Sequence, residues 1–199
     1  LGYADAQQLR PYAQARWSRS ALDIATSIVP YLALSVVMYM LLDVSYWLVL
    51  AVAIPASGFL LRTFIVFHDC THGSFLPSRK WNNRLGVFTG LFVMHPFHNW
   101  RHHHVAHHGS AGDLDRRGTG DVPTLTVDEY RAKSWRGRLG YRLFRNPLVM
   151  FGIGPIYSLM VMPRLTSFDK RPRLRNSVLL TNLALATMIA LLPMIWLSS

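Results

Sequence analysis

The chain has little cysteine, little acid and little charge of any kind. Its 199 residues include a single cysteine, Cys70, which excludes an internal disulfide and any multi-cysteine zinc site. Charged residues make up 16% against 51% hydrophobic, a balance that suits neither a disordered chain nor an ordinary soluble enzyme. Ten Asp+Glu stand against 21 Lys+Arg, a formal net charge of +11. An apolar chain with basic loops reads first as a membrane protein with a cytoplasmic face, and no nucleic-acid partner is expected. Internal repeats and low-complexity tracts are also lacking. With thiols nearly absent, the nine histidines are the plentiful soft ligands.

What is present is a set of long uncharged runs. Ile24 to Leu42 holds 19 residues without a charge, close to the roughly 20 a helix needs to cross about 30 Å of hydrocarbon. The 23 residues before it are too long and too mixed in charge for a secretory leader. Val44 to Leu61 is again uncharged and continues past Arg62, so spans over about 24–42 and 46–67 are expected to form a hairpin, with Pro55 tolerated inside the second and Arg62 snorkelling to the headgroups. Leu85 to Met94 is too short to span and reads as interfacial or buried against protein. Val178 to Leu197, 20 residues without a charge, reads as a further span.

Basic residues set the expected orientation. Arg10, Arg16 and Arg19 precede the hairpin, its tip has none, and Arg79 to Arg145 holds a dozen. The expected fold class is therefore an all-α, multi-pass integral membrane protein whose transmembrane helices carry a cytoplasmic helical cap. Its expected divisions are a cytoplasmic N-terminal segment over 1–23, the hairpin over 24–67, a cytoplasmic histidine-bearing region over 68–146, an interfacial segment over 147–163, a basic cytoplasmic loop over 164–177 and a span over 178–197. The loop Arg164 to Arg175 carries five basic residues, which is why 147–163 is expected to lie in the interface rather than cross.

The histidines fall in two clusters within the expected cytoplasmic region. His68 and His72 stand four apart, on one face of a helix continuing the second span, a spacing that suits two ligands on one metal or on adjacent metals. In the run from His98 to His108, a rotation of 100° per residue gathers His104, His107 and His108 within one arc and puts His98 and His102 opposite. An isolated pair four apart reads as a surface or capping pair; two clusters at helical spacing beyond spans on the same side read as metal binding. All-imidazole ligands suit zinc, copper, iron or nickel, and five exceed one tetrahedral site, so two metals are expected. Cys70 points away from the His68/His72 face, and Asp69, Asp113, Asp115 and Asp121 are candidate partners for imidazole N–H groups.

At these residues the sequence resembles the membrane fatty acid desaturases, within them the bacterial acyl-lipid enzymes of the omega-6, or delta-12-like, type. The match includes Phe67 to Phe75, Trp100 to His108, Gly112 to Tyr130, Tyr141 to Pro147 and Gly154 to Tyr157. The resemblance implies a di-iron (Fe) oxidase that introduces a double bond into an acyl chain of a lipid substrate, using molecular oxygen and two electrons from a carrier such as ferredoxin. By motif position His68 and His72 match the first histidine box, and His104, His107 and His108 the second; these five are the expected catalytic metal ligands. His95, His98, His102 and His103 have no secure counterpart.

The family has a third HxxHH box, and no histidine follows His108. The expectation is a fragment, inactive alone, of an active parent enzyme. A related di-iron hydroxylase or monooxygenase uses similar boxes, and product analysis separates the two. A non-enzymatic metal-binding membrane protein would place ionisable ligands inside its spans. A basic scaffold for anionic lipid would depend on arginines rather than histidines.

Overall fold

The computed structural model describes residues 8, 14–117, 122–165 and 171–197, with side chains of the last helix described to residue 191. Arg10, Asp121 and part of the 164–177 loop lie outside the described residues. All regular structure among the described residues is helical. The backbone groups into two compact units, Leu1–Val93 and Met94–Ser199, a division that falls inside the 68–146 stretch.

In the first unit, α1 (Trp17–Met40) and α2 (Tyr46–His72) pack along each other. At 24 and 27 residues they are about 36 and 40 Å long, and both are long and apolar enough to cross a membrane. Helices suit such segments because every backbone N–H and C=O is satisfied within the segment. Many large apolar residues of these helices are exposed, among them Val29, Val36, Met40, Trp47 and Ile54, whereas the buried face mixes Ser20, Ser27, Ala56 and Thr63 with Ile28, Val49, Val66 and Phe67. Small and hydroxylated residues let helix backbones approach, and the exposed apolar residues suit a lipid surround.

Both helices start or end beyond the uncharged runs. Hydropathy marks only the apolar section, and the flanking Trp17–Asp23 and His68–His72 turns continue the same backbone ladder. Arg62, expected to snorkel, is exposed and also meets α1. Its Nε donates to Ser27 Oγ at 3.3 Å and its Nη2 to Thr26 Oγ1 at 3.1 Å, across the α1/α2 interface.

α2 ends at Gly73, whose φ of 73° is a left-handed conformation that an L side chain enters only with strain. The turn that follows is fastened by Asn82, fully buried near the start of α3 (Arg79–Phe92). Asn82 Oδ1 accepts from the Leu76 N–H at 3.0 Å, and Nδ2 donates to the carbonyls of Leu76 at 2.7 Å and Ser78 at 3.0 Å. Ser20 Oγ donates to the Phe75 carbonyl at 2.6 Å, tying α1 to the same turn. The Leu85–Met94 stretch falls largely in α3, which packs on α2 and buries Gly86, Thr89 and Gly90.

The second unit opens on Met94, a non-glycine residue at φ 54°, and Pro96, which caps α4 (Phe97–Ser110). Two short helices follow, α5 (Val127–Ala132) and α6 (Trp135–Phe144). α5 begins with a capping box in which Thr126 and Glu129 satisfy each other's backbone N–H. Val149–Arg164 is then a helical run with π-turns over Val149–Ile153 and Tyr157–Val161 on either side of Pro155. Proline contributes no N–H to the ladder, and the slack is taken up by wider turns. α6 and this run are bent by 56° and together are long and apolar enough for one broken span or a re-entrant loop.

The last helix, α7 (Pro172–Leu197), starts on a proline, which suits the first helical position. Its Pro172–Leu191 part is again long and apolar enough to span. α4 packs on α7 around buried Phe97, Leu174 and Val178, and the His98 N–H donates to Ser177 Oγ at 3.2 Å. Arg164 Nη1 donates to Asn182 Oδ1 at 2.9 Å, Asn182 Nδ2 returns a bond to the Arg164 carbonyl at 2.9 Å, and Arg164 also reaches the Met94 carbonyl.

Candidate metal centre

Each unit carries one closely paired set of imidazoles. At the end of α2, spacing of four residues stacks His68 and His72 one turn apart, with their Nε2 atoms 3.4 Å apart. On α4, His104 and His108 have the same spacing, with Nε2 atoms 3.0 Å apart. These separations serve an N–H···N hydrogen bond. They also equal, to within about 0.1 Å, the separation of two nitrogens each about 2.1 Å from one metal and 90–110° apart. Among the described residues, the His68/His72 pair and the His104/His108 pair each bring together imidazoles that could hold a metal, and neutral imidazole donors fit one.

The pairs have different supports. His68 Nδ1 lies 2.9 Å from Asp69 Oδ1. A carboxylate there accepts the Nδ1–H and leaves Nε2 as the lone-pair nitrogen facing His72. Asp69 is thus a candidate acid that meets a ligand-type histidine. Asp113 turns instead to Arg116 Nε at 2.6 Å, and that guanidinium, with the Asp115 N–H, holds the Asp113 carboxyl below the usual range. Asp121 lies outside the described residues.

On α4 the support is aromatic. The Trp100 indole stacks on His104, with ring centroids 4.1 Å apart and planes 17° apart. Trp100, His104 and His108 form one i, i+4, i+8 ridge; that spacing is visible in the sequence, which nonetheless did not bring Trp100 forward as a support. His107 stands off from the pair, its ring centroid 6.3 Å from His104 and 5.9 Å from His108.

The other histidines go elsewhere. His95 is buried edge-on to Trp100, and His102 Nδ1 meets Arg171 Nη1 at 3.4 Å. His98 is held below its ordinary pKa, by burial first and then by Arg173 and Arg101. Cys70 is fully buried in the α2 packing face, as its helical rotation away from His68 and His72 requires.

Three apolar helices long enough to cross a membrane, with two imidazole clamps that could hold a metal, are the features of the metal-binding class of membrane proteins. The fatty acid desaturase family model matches residues 7–199, and the chain belongs to that family. It is 41% identical over 184 residues to a fatty acid desaturase of Bacillus subtilis, covering 92% of this chain and 52% of that protein. It is 32% identical over 140 residues to the sn-1 acyl-lipid omega-3 desaturase (ferredoxin) of a Synechocystis species, covering 65% of this chain and 36% of the relative. A Synechocystis sn-1 oleoyl-lipid 12-desaturase is 32% identical over 114 residues, 57% of this chain and 32% of the relative. The chain thus spans about half or less of the length of these relatives. No solved structure matches it significantly.

Proposed function

We propose that this chain supplies the first two histidine boxes of an oxygen-dependent acyl-lipid desaturase with a di-iron centre. The observation that carries the reading is the repeated clamp, in which Nε2 atoms converge at 3.4 Å on α2 and 3.0 Å on α4 within a chain of the desaturase family. The proposed ligands are His68, His72, His104, His107 and His108. His107 is included by motif position, and reaching a metal shared with its neighbours requires its ring to turn toward them.

Iron bound there supplies the oxidising power that an unactivated methylene demands and that no acid or base side chain can deliver. The protein's share lies in its own residues. Asp69 fixes the tautomer of His68 through Nδ1, Trp100 fixes the ring plane of His104, and neutral imidazoles stay available as ligands. The exposed apolar flanks of α1 and α2 offer an acyl chain a greasy approach to the end of α2, where His68 and His72 stand.

On this reading the chain is multi-pass, with its histidine boxes and the 1–23 and 164–177 segments in the cytoplasm. The electron donor is a ferredoxin-type carrier, a reading supported by the ferredoxin named for the Synechocystis omega-3 relative. The test is expression from its gene in a host lacking a desaturase, with a ferredoxin reducing system. Membrane acyl chains are then analysed by gas chromatography and iron is counted per purified protein. New double bonds that disappear in His72→Ala and His108→Ala, together with loss of iron, are expected. Hydroxylated acyl chains without double bonds would overturn the desaturase outcome, and wild-type iron content in both variants would overturn the ligand set. A cysteine at Ser167, with Cys70→Ser, is expected to resist an impermeant thiol reagent in intact cells; labelling there would overturn the orientation.

A further inference from the structure

We propose that α6 lies in the plane of the membrane surface and binds the headgroups of anionic phospholipids. Trp135, Leu139 and Leu143 recur every four residues and form an apolar stripe about 80° wide. All three are solvent-exposed, at 64%, 48% and 56%. By the same rotation Arg136 borders the stripe on one edge and Arg138, Arg142 and Arg145 on the other. The Arg136 guanidinium sits 5.3 Å from the Trp135 ring centroid. An apolar stripe edged on both sides by arginines, with tryptophan at its start, is the pattern of a helix resting in the interface, its apolar face roughly 5–10 Å into the headgroup and acyl boundary.

The Tyr141 side of α6 is tied to the protein. Tyr141 Oη accepts the Leu125 N–H at 3.3 Å, and its ring lies 5.8 Å from that of Tyr130 on α5. The helix is thus fastened on its Tyr141 side with the Trp135 stripe turned outward. Three arginines within ten residues make it a poor half of a membrane span, and the 56° bend before Val149–Arg164 lets the apolar run leave at an angle while α6 stays at the surface.

Charge decides which surface. From Arg131 to Phe168 the chain has seven basic residues and no carboxylate, and Leu148 and Phe151, next along the chain, are about 80% exposed. A cationic rim continuous with an apolar run is complementary to a bilayer carrying negative headgroups. This inference is independent of the metal chemistry.

The experiment places the whole protein in nanodiscs containing brominated acyl chains on either phosphatidylglycerol or phosphatidylcholine, at fixed total composition. The Trp135 signal is taken as the fluorescence difference between wild type and Trp135→Phe. Brominated phosphatidylglycerol is expected to quench it about twofold or more over brominated phosphatidylcholine, and R136Q/R138Q/R145Q is expected to equalise the two. A nitroxide at Leu139→Cys, with Cys70→Ser, gives a second depth measurement should Trp135→Phe not fold, and greater accessibility to oxygen than to a nickel chelate is expected. Equal quenching in the wild type would overturn the headgroup assignment. Quenching by aqueous iodide but by neither lipid would overturn the membrane placement and leave the stripe to a soluble partner.

Discussion

Asp69 Oδ1 sits 2.9 Å from His68 Nδ1, and the Nε2 of the same ring sits 3.4 Å from His72 Nε2. One carboxylate next in sequence to a histidine therefore decides which of its nitrogens can bind a metal. Asp69→Asn and Asp69→Ala are expected to lower metal affinity about 10- to 100-fold while leaving the helical circular dichroism unchanged. The check is metal titration of the purified protein; wild-type affinity in both variants would show that Asp69 does not orient the ring.

Trp100 is expected to act on His104 through its stack. An aromatic pair of this kind contributes about 0.5–1.5 kcal/mol, so Trp100→Ala is expected to weaken metal binding about 2- to 10-fold. Trp100→Phe should retain most of it. Equal losses in both variants would point to general unfolding of α4 rather than to the stack.

Asn82 is expected to matter for stability. Asn82→Ala strands the buried Leu76 N–H and the Leu76 carbonyl, while the Ser78 carbonyl keeps the Asn82 backbone N–H, a loss of about 2–3 kcal/mol measurable by denaturant unfolding in detergent. Asn82→Asp should be at least as destabilising at neutral pH, because a carboxylate would face the two carbonyls that the amide N–H groups now satisfy.

Glu129 gives a pH signature. The Thr126 N–H at 2.7 Å and then the Arg117 guanidinium hold its carboxyl below the usual carboxylate range. A carboxyl with a depressed folded-state pKa contributes stability above its unfolded value, and that contribution is lost as pH falls through the folded value. Hydrogen exchange of the Thr126 amide is therefore expected to accelerate below about pH 4, beyond the intrinsic trend. In Glu129→Gln the extra acid-dependent step should be absent.

Periodicity and charge determined a good deal on their own. Uncharged runs of bilayer length mark α1, α2 and α7, because hydrocarbon imposes a fixed length on any helix that crosses it. Histidines four apart mark the His68/His72 clamp, because the α-helical repeat carries side chains at i and i+4 to one face; on α4 the same spacing also fits His98/His102 and His103/His107, and the structure brought His104 and His108 together. The tertiary structure alone decided the rest. Four acids were equivalent by composition, and only folded geometry set Asp69 on His68 and turned Asp113 to Arg116. That Arg62 meets Thr26 and Ser27 followed only from the packing of α1 against α2. Asn82 gave no local signal, since its partners Leu76 and Ser78 become acceptors only when the turn closes around it. Local pattern follows from the geometry of a single helix, whereas the choice among polar partners is made by whatever neighbour the fold delivers to a group that cannot stay buried and unbonded.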